Sequence, residues 1–208
     1  MSSGMSGEEP FVLCLTGSLG MGKSVTAKLF AEAGIPVHDS DAVVHKLYDG
    51  EVVERIEQAF PGSTANGKVD RDKLGAVVLN DNAALARLEG IIHPLVGAAR
   101  DRFLAEAKAS GAAIVLLDIP LLFEIAAERC CDAIVVVSAP PDVQRARAFE
   151  RPGMTEEKFT AILAKQTPDV EKRRRADFIV DSSKGFEQAR AQVRDILRAV
   201  AKMPRRRR

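Results

Sequence analysis

Eight residues carry the first chemistry in this chain: Gly17, Ser18, Leu19, Gly20, Met21, Gly22, Lys23 and Ser24. They satisfy the spacing G-x-x-x-x-G-K-[ST], with Gly17, Gly22, Lys23 and Ser24 at the defining positions. Glycines so placed let the backbone curl with its N–H groups pointing inward, a nest for phosphate oxygens. A helix starting near Gly22 adds the positive end of its dipole. Lys23 then reaches the β- and γ-phosphates of ATP, Ser24 ligates Mg²⁺, and Val25 offers its backbone N–H. An apolar run, residues 11–16, precedes this turn. An amphipathic run with Val25, Leu29, Phe30 and Ala33 on one face follows it and stops at Gly34.

Other uses of a glycine turn fail on spacing. A dinucleotide-binding G-x-G-x-x-G read from Gly20 needs glycine or alanine where Val25 stands. A short-chain dehydrogenase needs Tyr-x-x-x-Lys, but four residues after Tyr48, the single tyrosine, stands Val52. A GTPase needs N-K-x-D and D-x-x-G, and neither occurs. Motor and AAA-type ATPases place a water-activating glutamate after the second acidic strand. Here Asp118 is followed by Ile119 and Pro120. Excluding water favours phosphoryl transfer to the hydroxyl of a small molecule.

Such a transfer needs a carboxylate beside the acceptor and cations around the moving phosphoryl. Asp39 and Asp41, in "HDSDAVVHKLY", end the second expected strand. Ligands of parallel sheets gather at that end. One of the two is the expected catalytic acid. Asp39 alternatively caps the following helix or holds Mg²⁺ through water. Arg147 and Arg151 stand four apart, so they share a helical face just before Pro152-Gly153. They are the expected arginines of a lid over ATP. The later run Lys172-Arg173-Arg174-Arg175 lacks such spacing and reads as a solvated basic face.

The elements that must position these residues follow from the hydrophobic pattern. Residues 11–16, 112–118 and 133–138 are apolar throughout, as in strands covered on both faces, and 35–39 and 177–181 are shorter candidates. Helical patterns alternate with them, which predicts an α/β fold, a P-loop three-layer α/β/α domain with a five-stranded parallel sheet. Between 39 and 112 no good strand is evident. Three helical patterns fill that stretch, at about 41–60, 70–79 and 82–108. Pro94 is expected to kink or restart the last one. This insert, about 42–110, and a second helical excursion, about 141–175, decorate a single domain over 11–203.

Composition sets bounds. The 208 residues carry a formal charge of +1, with 46% hydrophobic and 28% charged residues, so no global field points to nucleic acid or membrane. No apolar stretch approaches a membrane span, and residues 1–10 read as a disordered leader rather than a signal peptide. Residues 204–208, Pro-Arg-Arg-Arg-Arg, read as a solvated tail. Cys14, Cys130 and Cys131 have no metal spacing and suit a reducing, cytoplasmic setting, with Cys14 a buried small hydrophobe.

Several segments together resemble one family over about residues 11–200. "DSDAVVHKLY" looks like the D-A-D segment of dephospho-coenzyme A kinases. "NGKVDRDKLGAVV", "LEGIIHPLV", "LDIPLLFE" and "ADFIVDSS" resemble further segments of the same family. The resemblance implies a nucleotide-binding core, a helical coenzyme A domain and a lid. It implies ATP-dependent phosphorylation of the ribose 3′-hydroxyl of dephospho-coenzyme A, with Mg²⁺, in a cytoplasmic monomer or weak homo-oligomer. It makes Asp41 the base, and it places Arg147, Arg151 and Gln166 in the lid and His93 and Asp118 on the substrate side. His45 departs from the arginine common at its position, and Ser182-Ser183 departs from the usual asparagine-containing turn. A kinase for nucleoside monophosphates and a non-enzymatic nucleotide-binding regulator are the competing readings.

Overall fold

The computed structural model describes residues 8–79 and 81–206. Most of the expected leader lies outside these residues. The described elements run β1 (Phe11–Thr16), α1 (Lys23–Glu32), β2 (Val37–Asp39), α2 (Ser40–Tyr48), α3 (Val53–Ala59), β3 (Thr64–Ala65), β4 (Lys68–Val69), α4 (Arg71–Val78), α5 (Asn82–Ala109), β5 (Ile114–Asp118), β6 (Ala133–Ser138), α6 (Pro141–Phe149), α7 (Glu156–Ala164), α8 (Asp169–Arg175), β7 (Phe178–Asp181) and α9 (Phe186–Val200).

The unbroken apolar runs become the middle of a five-stranded sheet of order β2-β5-β1-β6-β7. Every residue of β1 and β6 is buried, as strands covered on both faces require. β1 pairs in parallel with β5 and β6, so that Leu13 stands opposite Leu116 and Ala133, and β6 pairs in parallel with β7. On one face Leu13 and Leu15 meet Leu29 and Phe30 of α1 and Val193 and Ile196 of α9 in a single buried cluster. The order puts the carboxyl ends of β1, β5 and β6 side by side, and the loops that leave them carry the expected chemistry.

The chain divides into two compact units, 1–38 with 106–208 and 39–105. The second has its own core, in which Val52, Ile56, Phe60, Leu74 and Val78 pack together. Four helices and a hairpin fill this stretch, where three helical patterns and no strand were expected. β3 and β4 pair antiparallel around Asn66 (φ 52°) and Gly67 (φ 73°), both in the left-handed region that a two-residue hairpin turn demands. The dipeptide Asn66-Gly67 is itself the signal for that turn. α5 runs through Pro94 as one helix of 28 residues rather than restarting at His93-Pro94. Burial of Leu88 and Ile92 before the proline, and of Ala107 after it, outweighs the missing hydrogen bond.

Two expectations about the surface and the cysteines change. Cys14 on β1 is disulfide-bonded to Cys131, which precedes β6, with their Cα atoms 5.6 Å apart. The partners lie 117 residues apart in sequence, and only the neighbouring of β1 and β6 brings them together. The described part of the basic tail is exposed, as expected, but Arg206 is tied to the fold. Arg206 N donates to Asp132 Oδ1 at 3.2 Å, and its guanidinium pairs with Asp177. Those two carboxylates already accept through Oδ2 from Val12 N and Ile134 N, both at 2.8 Å, so the tail uses the other oxygen of carboxylates that the strands had oriented. No helix among the described residues is long and apolar enough to cross a membrane.

Candidate active site

The turn after β1 is held from three sides. Thr16 Oγ1 donates to the Pro120 carbonyl at 3.0 Å, tying the end of β1 to the loop after β5. Gly20 has φ 78°, and a Cβ there would lie 2.5 Å from the Gln144 carbonyl, so no other residue fits. Gly22 (φ 86°) is the N-cap of α1, with no side chain capping the first turn and no acidic residue in it. The unsatisfied N–H groups of that turn therefore remain for an anion. Residues 17–25 have the loop-to-helix shape that such a cradle needs, with Gly17 and Ser18 buried and Ser24 and Val25 exposed at its mouth.

Lys23 begins α1, and its Nζ sits 2.6 Å from Asp118 Oδ1 at the end of β5, the two side chains 15% and 5% exposed. A charge so enclosed is kept in place by its partner. Asp118, expected on the substrate side, thus faces the phosphate loop. Ser24 and Asp118 offer the hard oxygen donors that suit Mg²⁺. Among the described residues no group of three or more His, Cys, Asp or Glu side chains could bind a metal ion by itself. A Mg²⁺ here would take its other ligands from phosphates and water, as the ion ordinarily does.

Residues of the excursion after β6 reach back to the loop. Leu19 N donates to Gln166 Oε1 at 3.2 Å, and Gln144 Nε2 donates to the Leu19 carbonyl at 2.8 Å. Arg147 Nη1 and Nη2 donate to Ser182 Oγ (2.7 Å) and to the Ser182 carbonyl (2.8 Å), and Ser182 Oγ donates to the Met21 carbonyl at 2.7 Å. Two glutamines thus clamp the apex of the loop, and an arginine–serine relay braces its floor. Gln144 and Ser182 had no sequence signal as loop partners, because their roles depend on packing across more than a hundred residues.

The arginines do not share the expected helical face. α6 ends at Phe149, which leaves Arg151 in the turn beyond it, exposed. Arg145 instead pairs with Glu156 of α7 and lies over the rings of Phe149 and Phe159. Within the run 172–175, Arg173, Arg174 and Arg175 are exposed as a solvated face requires, and Lys172 alone departs from it. Lys172 is fully buried, with Nζ 3.0 Å from Glu124 Oε1. Burial opposes the charged form of Glu124. The Thr167 N–H, the Glu124 backbone N–H and Lys172 together outweigh it and hold the carboxyl below the ordinary glutamate range.

In the second unit Asp39 closes β2 and caps α2, its Oδ1 accepting from Ala42 N at 3.0 Å. Asp41 stands exposed in the first turn of α2, on the rim of a cavity of about 420 Å³ that is also lined by Val44, His45, Tyr48, Arg71 and Leu74. His45 Nδ1 lies 2.8 Å from the Asp41 carbonyl, and Arg71 Nη1 lies 2.6 Å from His45 Nε2. The Arg71 guanidinium lies over the Tyr48 ring, 5.4 Å from its centroid. Burial pushes the Tyr48 phenol up, and Arg71 offsets part of that shift. His93 is exposed on α5.

Comparison with known proteins agrees with this arrangement. Residues 11–188 match the profile of the dephospho-CoA kinase family. A dephospho-CoA kinase of Bradyrhizobium diazoefficiens is 61% identical over 196 residues, covering 94% of this chain and 98% of its own. One of Mesorhizobium japonicum is 61% identical over 186 residues, covering 89% and 94%. The crystal structure of TT1252 from Thermus thermophilus superposes with a TM-score of 0.82 at 31% identity, over 92% of this chain and 98% of that one. A strand–loop–helix that leaves its N–H groups open to phosphate, a buried Lys23–Asp118 pair beside it and a match over nearly the whole chain lead to one conclusion: the chain belongs to the dephospho-CoA kinase family.

Proposed function

We propose that the protein transfers the γ-phosphoryl of ATP to the ribose 3′-hydroxyl of dephospho-coenzyme A, giving coenzyme A and ADP, the last step of coenzyme A synthesis. The observation that carries this reading is the open N-terminus of α1 beside the Lys23–Asp118 pair, in a chain so similar to named dephospho-CoA kinases. Those backbone N–H groups of residues 17–25 that the loop's own bonds leave open take the phosphates of ATP. Lys23 exchanges part of its bond to Asp118 for the phosphate oxygens where charge develops. Mg²⁺, held through Ser24 with Asp118 or Asp39 acting through water, would neutralise charge on those oxygens. Asp41 takes or orients the proton of the acceptor hydroxyl.

The excursion from α6 to α8 acts as the lid in this proposal. Gln144 and Gln166 report its position to Leu19, Arg147 braces the loop floor, and Arg151, exposed in the turn after α6, is the cation that reaches the phosphates. The helical unit receives the acceptor through the cavity beside Asp41. The cytoplasm is the place of action in the same proposal. An acceptor panel tests the function. Dephospho-coenzyme A should exceed AMP and adenosine in kcat/KM by orders of magnitude, because binding energy from its remote parts positions the hydroxyl. Comparable values for AMP would overturn the assignment and favour a nucleoside monophosphate kinase.

A further inference from the structure

We infer that His45 is a positioning residue, which aims the guanidinium of Arg71 into the Asp41 cavity as the receptor for an anionic group of the acceptor. This rests on the proposed function and deepens it by naming what the helical unit reads.

The geometry fixes the chemistry of the histidine. An arginine can only donate, so His45 Nε2, 2.6 Å from Arg71 Nη1, must accept. A main-chain carbonyl can only accept, so His45 Nδ1, 2.8 Å from the Asp41 oxygen, must carry the proton. The ring is therefore neutral and bridges the first turn of α2 to the start of α4. Arg71 spends one N–H on this bond and lays its plane over Tyr48. Its other N–H groups remain available. Among the described residues no carboxylate pairs with Arg71. Its neighbour Asp70 caps α4 through Lys73 N and pairs with the Lys73 ammonium instead.

Charge gives this arrangement its purpose. A phosphate-bearing acceptor brought beside Asp41 meets a like charge. Of the residues lining the cavity, Arg71 carries the positive charge that offsets it. A guanidinium matches a phosphate or diphosphate with paired N–H groups, and a planar group held by one bond and one ring loses little freedom when it does so. Arg71 lies on the exposed side of α4, where an arginine ordinarily samples many rotamers. His45 and Tyr48 remove that freedom before the acceptor arrives.

The test is the split between KM and kcat in the intact enzyme. His45→Phe keeps a ring of similar volume but cannot accept. It should raise KM for dephospho-coenzyme A about five- to tenfold, the scale of one ordinary hydrogen bond, while kcat and KM for ATP stay within about twofold. His45→Gln places an amide oxygen near Nε2 and should recover most of the loss. Arg71→Met should raise the same KM about 10- to 100-fold, and adding His45→Phe to it should do no further harm. Melting curves of each variant separate misfolding from misaiming. An unchanged KM in His45→Phe, equal losses in KM and kcat, or additive effects in the double variant would overturn the inference. If the wild type instead prefers another acceptor, the proposed function fails by that result, and the same split measured with that acceptor still decides the role of His45.

Discussion

The chain makes two strand-to-helix turns that look alike in outline and are opposite in electrostatics. The first leads from β1 through residues 17–22 into α1; no side chain caps its helix and no acid stands in the first turn. The second leads from β2 directly into α2; Asp39 caps its helix and Asp41 adds a second carboxylate in the first turn. A helix N-terminus attracts anions in either case. The first turn leaves that attraction unmet, ready for a phosphate from outside. The second meets it with its own side chains, so it can present a carboxylate to a hydroxyl but repels a bare phosphate. The loop is also braced by Gln144, Gln166 and Ser182, whereas the bonds around Asp41, His45 and Arg71 lie exposed. In the proposed function, phosphate is taken by the braced turn, and the acceptor is taken by groups that water can reach.

Five substitutions break or sharpen this contrast. Asp41→Asn, at the acid-rich turn, removes the basicity and keeps the shape. Single-turnover phosphoryl transfer should slow by about 10²- to 10⁴-fold with ATP affinity nearly unchanged. If Asp39→Asn is the inactive variant instead, the roles of the two aspartates are reversed. Lys23→Ala, at the open turn, leaves the N–H nest in place. It should lower kcat by roughly 10²- to 10³-fold, more than it weakens ATP binding, since charge shifts most in the transition state. Loss confined to ATP affinity would make Lys23 only an anchor.

Lys172→Met tests the bracing. It leaves Glu124 enclosed without its cation, beside the segment that carries Gln166, and should cost about 3 kcal/mol in denaturant unfolding at neutral pH. The sign with pH follows from the depressed Glu124 carboxyl. Its contribution is present above the ordinary glutamate range and is lost as pH falls through the lowered value. The stability gap between wild type and variant should therefore narrow in acid; a gap independent of pH would assign the loss to packing alone. Asp39→Ala removes the α2 cap and should cost about 1 kcal/mol. A change in the Mg²⁺ dependence of kcat in the same variant would add the metal role to the cap.

The extent to which each turn was legible in sequence follows the same division. Gly17, Gly20, Gly22, Lys23 and Ser24 were legible because a local backbone shape and a single cation suffice to describe a phosphate nest, and both are properties of adjacent residues. The central strands were legible because strands covered on both faces must be apolar at every position. Arg147 and Arg151 were misplaced on one helical face because helix ends depend on packing and capping as much as on spacing.

What the sequence by itself determined is the glycine-rich loop, the presence of parallel apolar strands with helices between them, and the family likeness carried by short motifs such as "LEGIIHPLV" and "LDIPLLFE". Only the tertiary structure decided the partners: Cys14 with Cys131, Lys172 with Glu124, Gln144 and Gln166 with Leu19, and His45 with Arg71. Each of those pairs is set by which strands and helices lie next to one another. A spacing rule reaches along one strand or one turn of helix, whereas neighbours across a sheet or between helices are chosen by burial of the whole core.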